Sequence, residues 1–269
     1  MSVIRSVIRS VKAVGYFAWY GLELIVTRPK TRLKGAEWLN RFCQSVLRGF
    51  DVTVTVEGTF PERGVLISDH LSYMDILVYS AMKPVVYCSK AEVARMPVLG
   101  WMATSAGSVM VERGSGGAAE RAAAGMQAAS AEGVPVVFFP EGTTTNGREI
   151  LPFRSGLLAQ SLAAEQPVTA AFLYYTFDKD NGPGMTVENN VCFWGDDFSM
   201  MKHIFTFVGL QGVHAHVKIA SEPIRFSEPA NVIDRKQAAV ESREAVLALA
   251  GDRAAALDAK QREALVSAQ

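Results

Sequence analysis

The sequence predicts an α/β fold, a mostly parallel central sheet flanked by helices, preceded by an N-terminal two-helix membrane-associating motif. Three observations carry that expectation. From residue 50 onward, short β-branched or aromatic runs alternate with longer helical segments, the pattern of strands joined by helical crossovers. The first 48 residues hold nine basic side chains against two acidic ones, about +7 on the head and about −7 on the rest of a neutral chain. An aromatic, apolar run at 14–26 lies inside that basic head. The expected division is therefore 1–49, basic amphipathic helices that associate with a membrane, and 50–269, an α/β domain ending in helices.

The elements follow in order. A first helix runs to Thr27 and is ended by Pro29. Glu23 interrupts its apolar run, and thirteen helical residues reach only ~20 Å, short of a bilayer core. Val26-Thr27-Arg28-Pro29-Lys30 follows where a signal peptide would need small residues, so cleavage is not expected. The linker from Arg28 to Lys34 places a cation at every second position, and a second helix spans 35–49. Two helices in the headgroup layer, with Tyr16, Trp19, Tyr20 and Trp38 at the interface and cations on phosphates, fit this pattern, and so does a pair of helices packing on the core. Strands are expected at 52–56, 65–68, 85–88, 108–111, 134–139 and 168–175, with late strands at 187–194 and 215–219. Helices are expected at 72–82, 97–105, 117–132, 155–165 and 230–249, and a weaker, Ala-rich one from 252 to 269.

The balance of 49% hydrophobic and 20% charged residues is that of a globular chain able to build a substantial core. Cys43, Cys88 and Cys192 show no C-x-x-C spacing, so neither a disulfide framework nor a zinc site is expected. No G-x-S-x-G elbow and no G-x-x-x-x-G-K-[ST] loop occurs. His214 and His216 fall on one face of a strand, but no Asp or Cys at ligand spacing accompanies them, so no metal is expected.

Three segments carry candidate chemistry. In Ser68-Asp69-His70-Leu71-Ser72-Tyr73-Met74-Asp75, an apolar strand ends just before His70, at the sheet edge where open parallel sheets bind ligands. Ser72 reads as a helix N-cap that brings Asp75 back toward the imidazole. A carboxylate on His fixes its tautomer and strengthens it as a base. The same spacing is also a plain capping box. Phe138-Phe139-Pro140-Glu141-Gly142-Thr143 ends a buried strand at a proline and then presents a carboxylate, a flexible turn and a hydroxyl, or serves as a tight turn alone. Gly107 to Arg113 is a strand whose end delivers an arginine that can bind phosphate bidentately or form a surface pair.

His70-x4-Asp75, Gly107-x5-Arg113 and Phe139-Pro140-Glu141-Gly142-Thr143, in that order, resemble the glycerolipid acyltransferase family, whose best-known members are the lysophosphatidic acid acyltransferases. The resemblance covers roughly residues 50–180. It implies an acyltransferase on the cytoplasmic face of a membrane bilayer, with acyl-CoA or acyl-carrier protein as co-substrate, no cofactor, no nucleic acid, and a lysolipid acceptor such as 1-acylglycerol-3-phosphate. His70 and Asp75 would be the catalytic pair, and Arg113, Glu141, Gly142 and Thr143 would line the acceptor site. Departures bear on the acceptor. Asp69 stands where the family has Asn, and Thr144-Thr145 stand where Arg-Ser is common. Arg154, in Pro152-Phe153-Arg154-Ser155-Gly156, is a compensating cation. The fourth family block is degraded at Glu165-Gln166-Pro167-Val168. The Thr-Thr run and Phe-Arg-Ser are similar to enzymes acylating lyso-ornithine lipid or lysophosphatidylcholine. The readings from other classes are a metal-dependent hydrolase and a non-catalytic lipid-binding protein.

Overall fold

The computed structural model describes residues 2–111, 118–195 and 199–258. Helix α1 (Val3–Thr27) starts at Ser2, whose hydroxyl accepts from the Arg5 N–H, and ends at Arg28, which turns left-handed just before Pro29. Thr31 caps α2 (Arg32–Gly49) in the same way. Strands β1 (Val52–Glu57), β2 (Val65–Ser68), β3 (Val86–Lys90), β4 (Val109–Val111), β5 (Val136–Phe138), β6 (Val168–Phe177) and β7 (Val213–Ile219) form one sheet of seven, in the order β1-β7-β6-β2-β5-β3-β4. Every pairing is parallel except β6 with β7. The sheet is therefore mixed but mostly parallel, as expected.

Crossover helices cover both faces. Helix α3 (Met74–Met82) follows β2, and α4 (Leu99–Ser105) joins β3 to β4 after a 3-10 turn at Ala91–Arg95. Helices α5 (Ala118–Ala131) and α6 (Ser155–Ala163) precede β5 and β6. Between β6 and β7 lie α7 (Val187–Asn190) and α8 (Met200–Val208), and α9 (Arg235–Leu249) follows β7. The strand period of two sorts the core. Leu66, Val137 and Leu173 meet Trp38 and Phe42 of α2, Met74 of α3 and Phe207 of α8. Val65, Ile67 and Phe138 meet Met126 of α5, Leu158 of α6 and Val246 of α9 on the other face. Strand β2 is buried along its whole length between β5 and β6. Because β2 and β5 run parallel, the segments after Ser68 and after Phe138 emerge side by side at one sheet edge. That edge holds the site.

Four expectations change. Residues 187–194 are not a strand: the Thr186 hydroxyl accepts from the Asn189 N–H and the Asn190 side chain accepts from the Thr186 N–H, so reciprocal capping closes a helical turn, α7. Ser72 does not cap α3; Asp75 reaches back to the Leu71 and Ser72 N–H groups instead, and the Ser72 hydroxyl is buried without a partner. Trp38 is not interfacial, being 2% exposed in the core and stacked on Phe42. Arg5 and Arg9 do not face phosphates: their guanidinium groups donate to the carbonyls of Val208, Gly209 and Leu210, where a cation complements the α8 C-terminus. Helix α2 therefore belongs to the packed body, whereas α1 keeps an open face.

Candidate active site

Four constraints hold His70 just past the end of β2. Its Nδ1–H donates to Asp75 Oδ2 at 2.7 Å, its backbone N–H donates to Glu141 Oε1 at 2.8 Å, and its carbonyl accepts from the Thr145 N–H at 2.9 Å. The fourth is a stack, its ring lying on Phe139 with centroids 3.9 Å apart and planes 6° apart. With Nδ1 committed to a carboxylate, Nε2 carries the lone pair. Asp75 is fully buried and accepts four hydrogen bonds, from His70, Leu71 and Ser72 on Oδ2 and from the Tyr175 hydroxyl on Oδ1 at 2.7 Å. Its position in the first turn of α3 adds the favourable end of that helix.

His70 lines a cavity of about 710 Å³. Its apolar lining includes Ile76, Tyr87, Val93, Ala122 and Leu157. Its polar lining includes Thr143, Thr144, Arg154 and Gln160. Among the described residues, the backbone N–H groups of Thr143 and Thr144 donate to no protein acceptor. The arrangement supplies a base with a free lone pair, unpaired N–H donors, a cation and an apolar slot in one enclosure.

Comparison with known proteins agrees with this geometry. The family model described as Acyltransferase matches residues 51–173. The lyso-ornithine lipid O-acyltransferase of Pseudomonas aeruginosa is 31% identical over 268 residues, covering 93% of this chain and 96% of that protein. The chain belongs to the acyltransferase family. A 1-acyl-sn-glycerol-3-phosphate acyltransferase of Neisseria meningitidis is 33% identical over 150 residues, 55% of this chain and 58% of that one. The crystal structure of the 1-acyl-sn-glycerophosphate acyltransferase PlsC from Thermotoga maritima superposes with a TM-score of 0.61 at 17% identity, covering 92% of this chain and 95% of that one, and shows the shared fold.

In this acyltransferase, His70, Gly142, Thr143 and Arg154 meet at the cavity, with Asp75 directly behind His70. Arg113 lies outside the described residues. Glu141 is not on the cavity wall. It is 2% exposed, and its second oxygen accepts from the Leu151 N–H at 2.8 Å. It therefore braces the His70 backbone instead of facing a ligand. Burial pushes its carboxyl up to about 7, against the pull of the Leu151 and His70 N–H groups, and the Asp75 charge adds to the rise. Asp69 is buried beside it and accepts from the Leu173 N–H and the Ser68 hydroxyl. Burial holds the Asp69 carboxyl well above the usual range, with the Glu141 charge contributing.

The sign of the Glu141 effect follows from linkage. Its folded value exceeds the ordinary 4.5, so between 4.5 and about 7 the native state keeps a proton that the unfolded chain releases. Stability should fall as pH rises through that window, by up to ~1.4 kcal/mol per pH unit, and level off above it. Thermal melts of wild type and Glu141→Gln across the window test this: the variant should lose the part of the slope that Glu141 supplies, and an unchanged slope would contradict it.

Gly142 shows why the motif needs glycine. Its φ is +71°, and a Cβ there would sit 2.9 Å from Arg154 Nε and 3.0 Å from Cδ. Gly142→Ala should cost ~1–3 kcal/mol in backbone strain and push Arg154 aside, raising KM for the acceptor more than it lowers kcat. Steady-state kinetics with varied acceptor check that split.

Two contributions are visible only in the fold. Tyr175 sits one hundred residues from Asp75 on β6, where a tyrosine reads as strand propensity alone. Phe139 is part of the motif, but only the fold shows its ring flat against the imidazole. The imidazoles of His214 and His216 stack on each other at 4.0 Å, and their nitrogens bond Asp178, Thr55 and Thr176. Asp178 arrives from the end of β6, a partner that spacing in the sequence did not reveal.

Proposed function

We propose that this acyltransferase moves a fatty acyl group from a thioester, acyl-CoA or acyl-carrier protein, onto the free hydroxyl of a lysolipid, with lyso-ornithine lipid as acceptor. The observation that carries the reading is the His70 ring, tied to Asp75 through Nδ1 and stacked on Phe139, with its other nitrogen left for the cavity. His70 Nε2 takes the hydroxyl proton as that oxygen attacks the thioester carbonyl. Asp75 stabilises the imidazolium that forms. The N–H groups of Thr143 and Thr144 receive the carbonyl oxygen as it becomes negative. Collapse expels the thiolate, which takes the proton from His70 and leaves an ester on the lipid.

No acyl-enzyme is required. Cys88 lines the cavity, but burial pushes its thiol up to about 12, so it stays protonated and poorly nucleophilic. Arg154 holds an anionic head such as the carboxylate of ornithine, and the apolar lining takes an acyl chain. The choice of acceptor is supported by the relatives named for it. They include one that spans 93% of this chain, while the Neisseria relative named for 1-acyl-sn-glycerol-3-phosphate spans 55%. That phosphomonoester is the second reading.

Helix α1 supports work at a bilayer surface. Val3, Ile4, Val7, Ile8, Val11, Val14, Leu22, Ile25 and Val26 are all more than half exposed, on one stripe running its length. Among the described residues, no helix is long and apolar enough to cross a membrane. We place α1 flat in the headgroup layer of the cytoplasmic leaflet, with Lys12, Arg28, Lys30 and Lys34 exposed toward phosphates.

The deciding experiment is thiol release from acyl-CoA and acyl-carrier protein against lyso-ornithine lipid, 1-acylglycerol-3-phosphate and lysophosphatidylcholine. Lyso-ornithine lipid should lead in kcat/KM by about tenfold or more. Leadership by the phosphomonoester would transfer the acceptor to the second reading, and release with no lysolipid would contradict the function.

A further inference from the structure

We propose that the crossover from β3 to β4 is a second membrane-inserting element, a ledge of Met96, Pro97, Val98, Leu99 and Trp101 that seats an anionic bilayer at the mouth of the catalytic cavity. The proposal rests on the reading of α1 as a membrane helix and extends it. Met96 is 39% exposed, Val98 54%, Leu99 43% and Trp101 41%, whereas the segment turns only Gly100 and Met102 inward. An apolar cluster of this kind on a crossover is ordinarily folded onto the sheet.

The ledge is held open by rigid structure. A Cβ on Gly100 would lie 2.4 Å from the Ala94 carbonyl, so the helix start is pressed tightly onto the 3-10 turn. Val98 adopts φ 63°, a conformation that a β-branched residue takes only under constraint, and it does so with its side chain half in solvent.

Two further observations select a lipid surface as the occupant. First, the ledge continues the α1 stripe. The Trp101 ring lies 3.7 Å from where a Gly21 Cβ would be, and Leu22 and Ile25, beside Gly21 on the helix, are each 56% exposed. Second, cations border it. The start of α2 abuts the end of α4, where a Gly35 Cβ would meet the Ser105 carbonyl at 2.4 Å. The linker with exposed Arg28, Lys30 and Lys34 therefore runs alongside, and Arg95 is exposed at the end of the 3-10 turn just before the ledge. Exposed Glu37 and Glu92 are the acids of the same stretches, and exposed Glu132 accepts from the Leu33 N–H, leaving four exposed cations against three acids. An aromatic ring between apolar side chains and cations is the composition of a membrane interface. Val93, in the same turn, lines the cavity, so lipid chains would pass from the bilayer into it sideways.

Tryptophan quenching by vesicles of brominated phosphatidylcholine and phosphatidylglycerol tests the idea. In Trp19→Phe, Trp101 is expected to be quenched, and adding Trp101→Phe should remove that quenching. In Trp101→Phe alone, Trp19 reports on α1. Quenching of Trp19 without quenching of Trp101 would overturn the ledge and leave the α1 reading standing; quenching of neither would overturn both. As a functional arm, Val98→Glu with Leu99→Glu should lower kcat/KM on vesicle-borne lysolipid about tenfold or more, with turnover of a monomeric short-chain lysolipid unchanged. Equal loss on both substrates would also overturn the proposal.

Discussion

Replacing His70 with alanine should lower kcat by about 10²–10⁴-fold, the usual loss when a general base is removed. The protein should remain folded. The His70 side chain is 17% exposed at the cavity, and its backbone bonds to Glu141 and Thr145 do not depend on the ring. Asp75 would keep three of its four donors, from Leu71, Ser72 and Tyr175. A fall in Tm of no more than about 4 °C is expected, and lysolipid binding should survive. The informative companion is Asp75→Asn. Its amide can keep its oxygen on the His70, Leu71 and Ser72 donors and give its N–H to the Tyr175 hydroxyl, so it should keep most of its stability while the imidazolium loses its counter-charge and activity falls. Thiol release and melting curves on the two variants separate catalysis from packing. A His70→Ala enzyme within about threefold of wild-type turnover would refute the catalytic assignment.

The second large effect concerns attachment. Val7→Glu, Val11→Glu and Leu22→Glu together should weaken partitioning onto anionic vesicles by more than about 100-fold, since each change removes ~1.5–3 kcal/mol of apolar burial and adds a repelled charge. Those side chains are 51%, 68% and 56% exposed, so the soluble protein should melt as wild type does. Raising the salt should weaken wild-type binding only in part, because the stripe is apolar while its flanking cations are screened. Co-sedimentation with vesicles measures both. Unchanged sedimentation of the triple variant would exclude α1 as the anchor.

The strand–helix alternation was legible because crossover strands such as β2 are continuous apolar runs and the helices after β2, β3, β4 and β5 are each longer than the strand they follow. The His70–Asp75 pairing was legible for a different reason: five residues of loop and helix start leave little choice of where a carboxylate can turn. What escaped was everything set by distant chain. Charge marked residues 1–48 as one head, yet Arg5 and Arg9 serve the α8 carbonyls and Trp38 serves the core, because packing and helix ends compete for the same side chains. Glu141 read as a ligand-facing carboxylate, but both its oxygens turn to backbone N–H groups in a buried position away from the cavity lining. Residues 187–194 have the β-branched and aromatic content of a strand, and one threonine with one asparagine outweighs it.

Rapid-quench analysis of the first turnover, with labelled acyl thioester and lyso-ornithine lipid on vesicles, bears most directly on direct transfer driven by His70. Free thiol and acylated lipid should rise together, mole for mole, with no label left on protein and no such turnover in His70→Ala. A burst of thiol equal to the enzyme present, with the acyl group recovered on the chain, would contradict it.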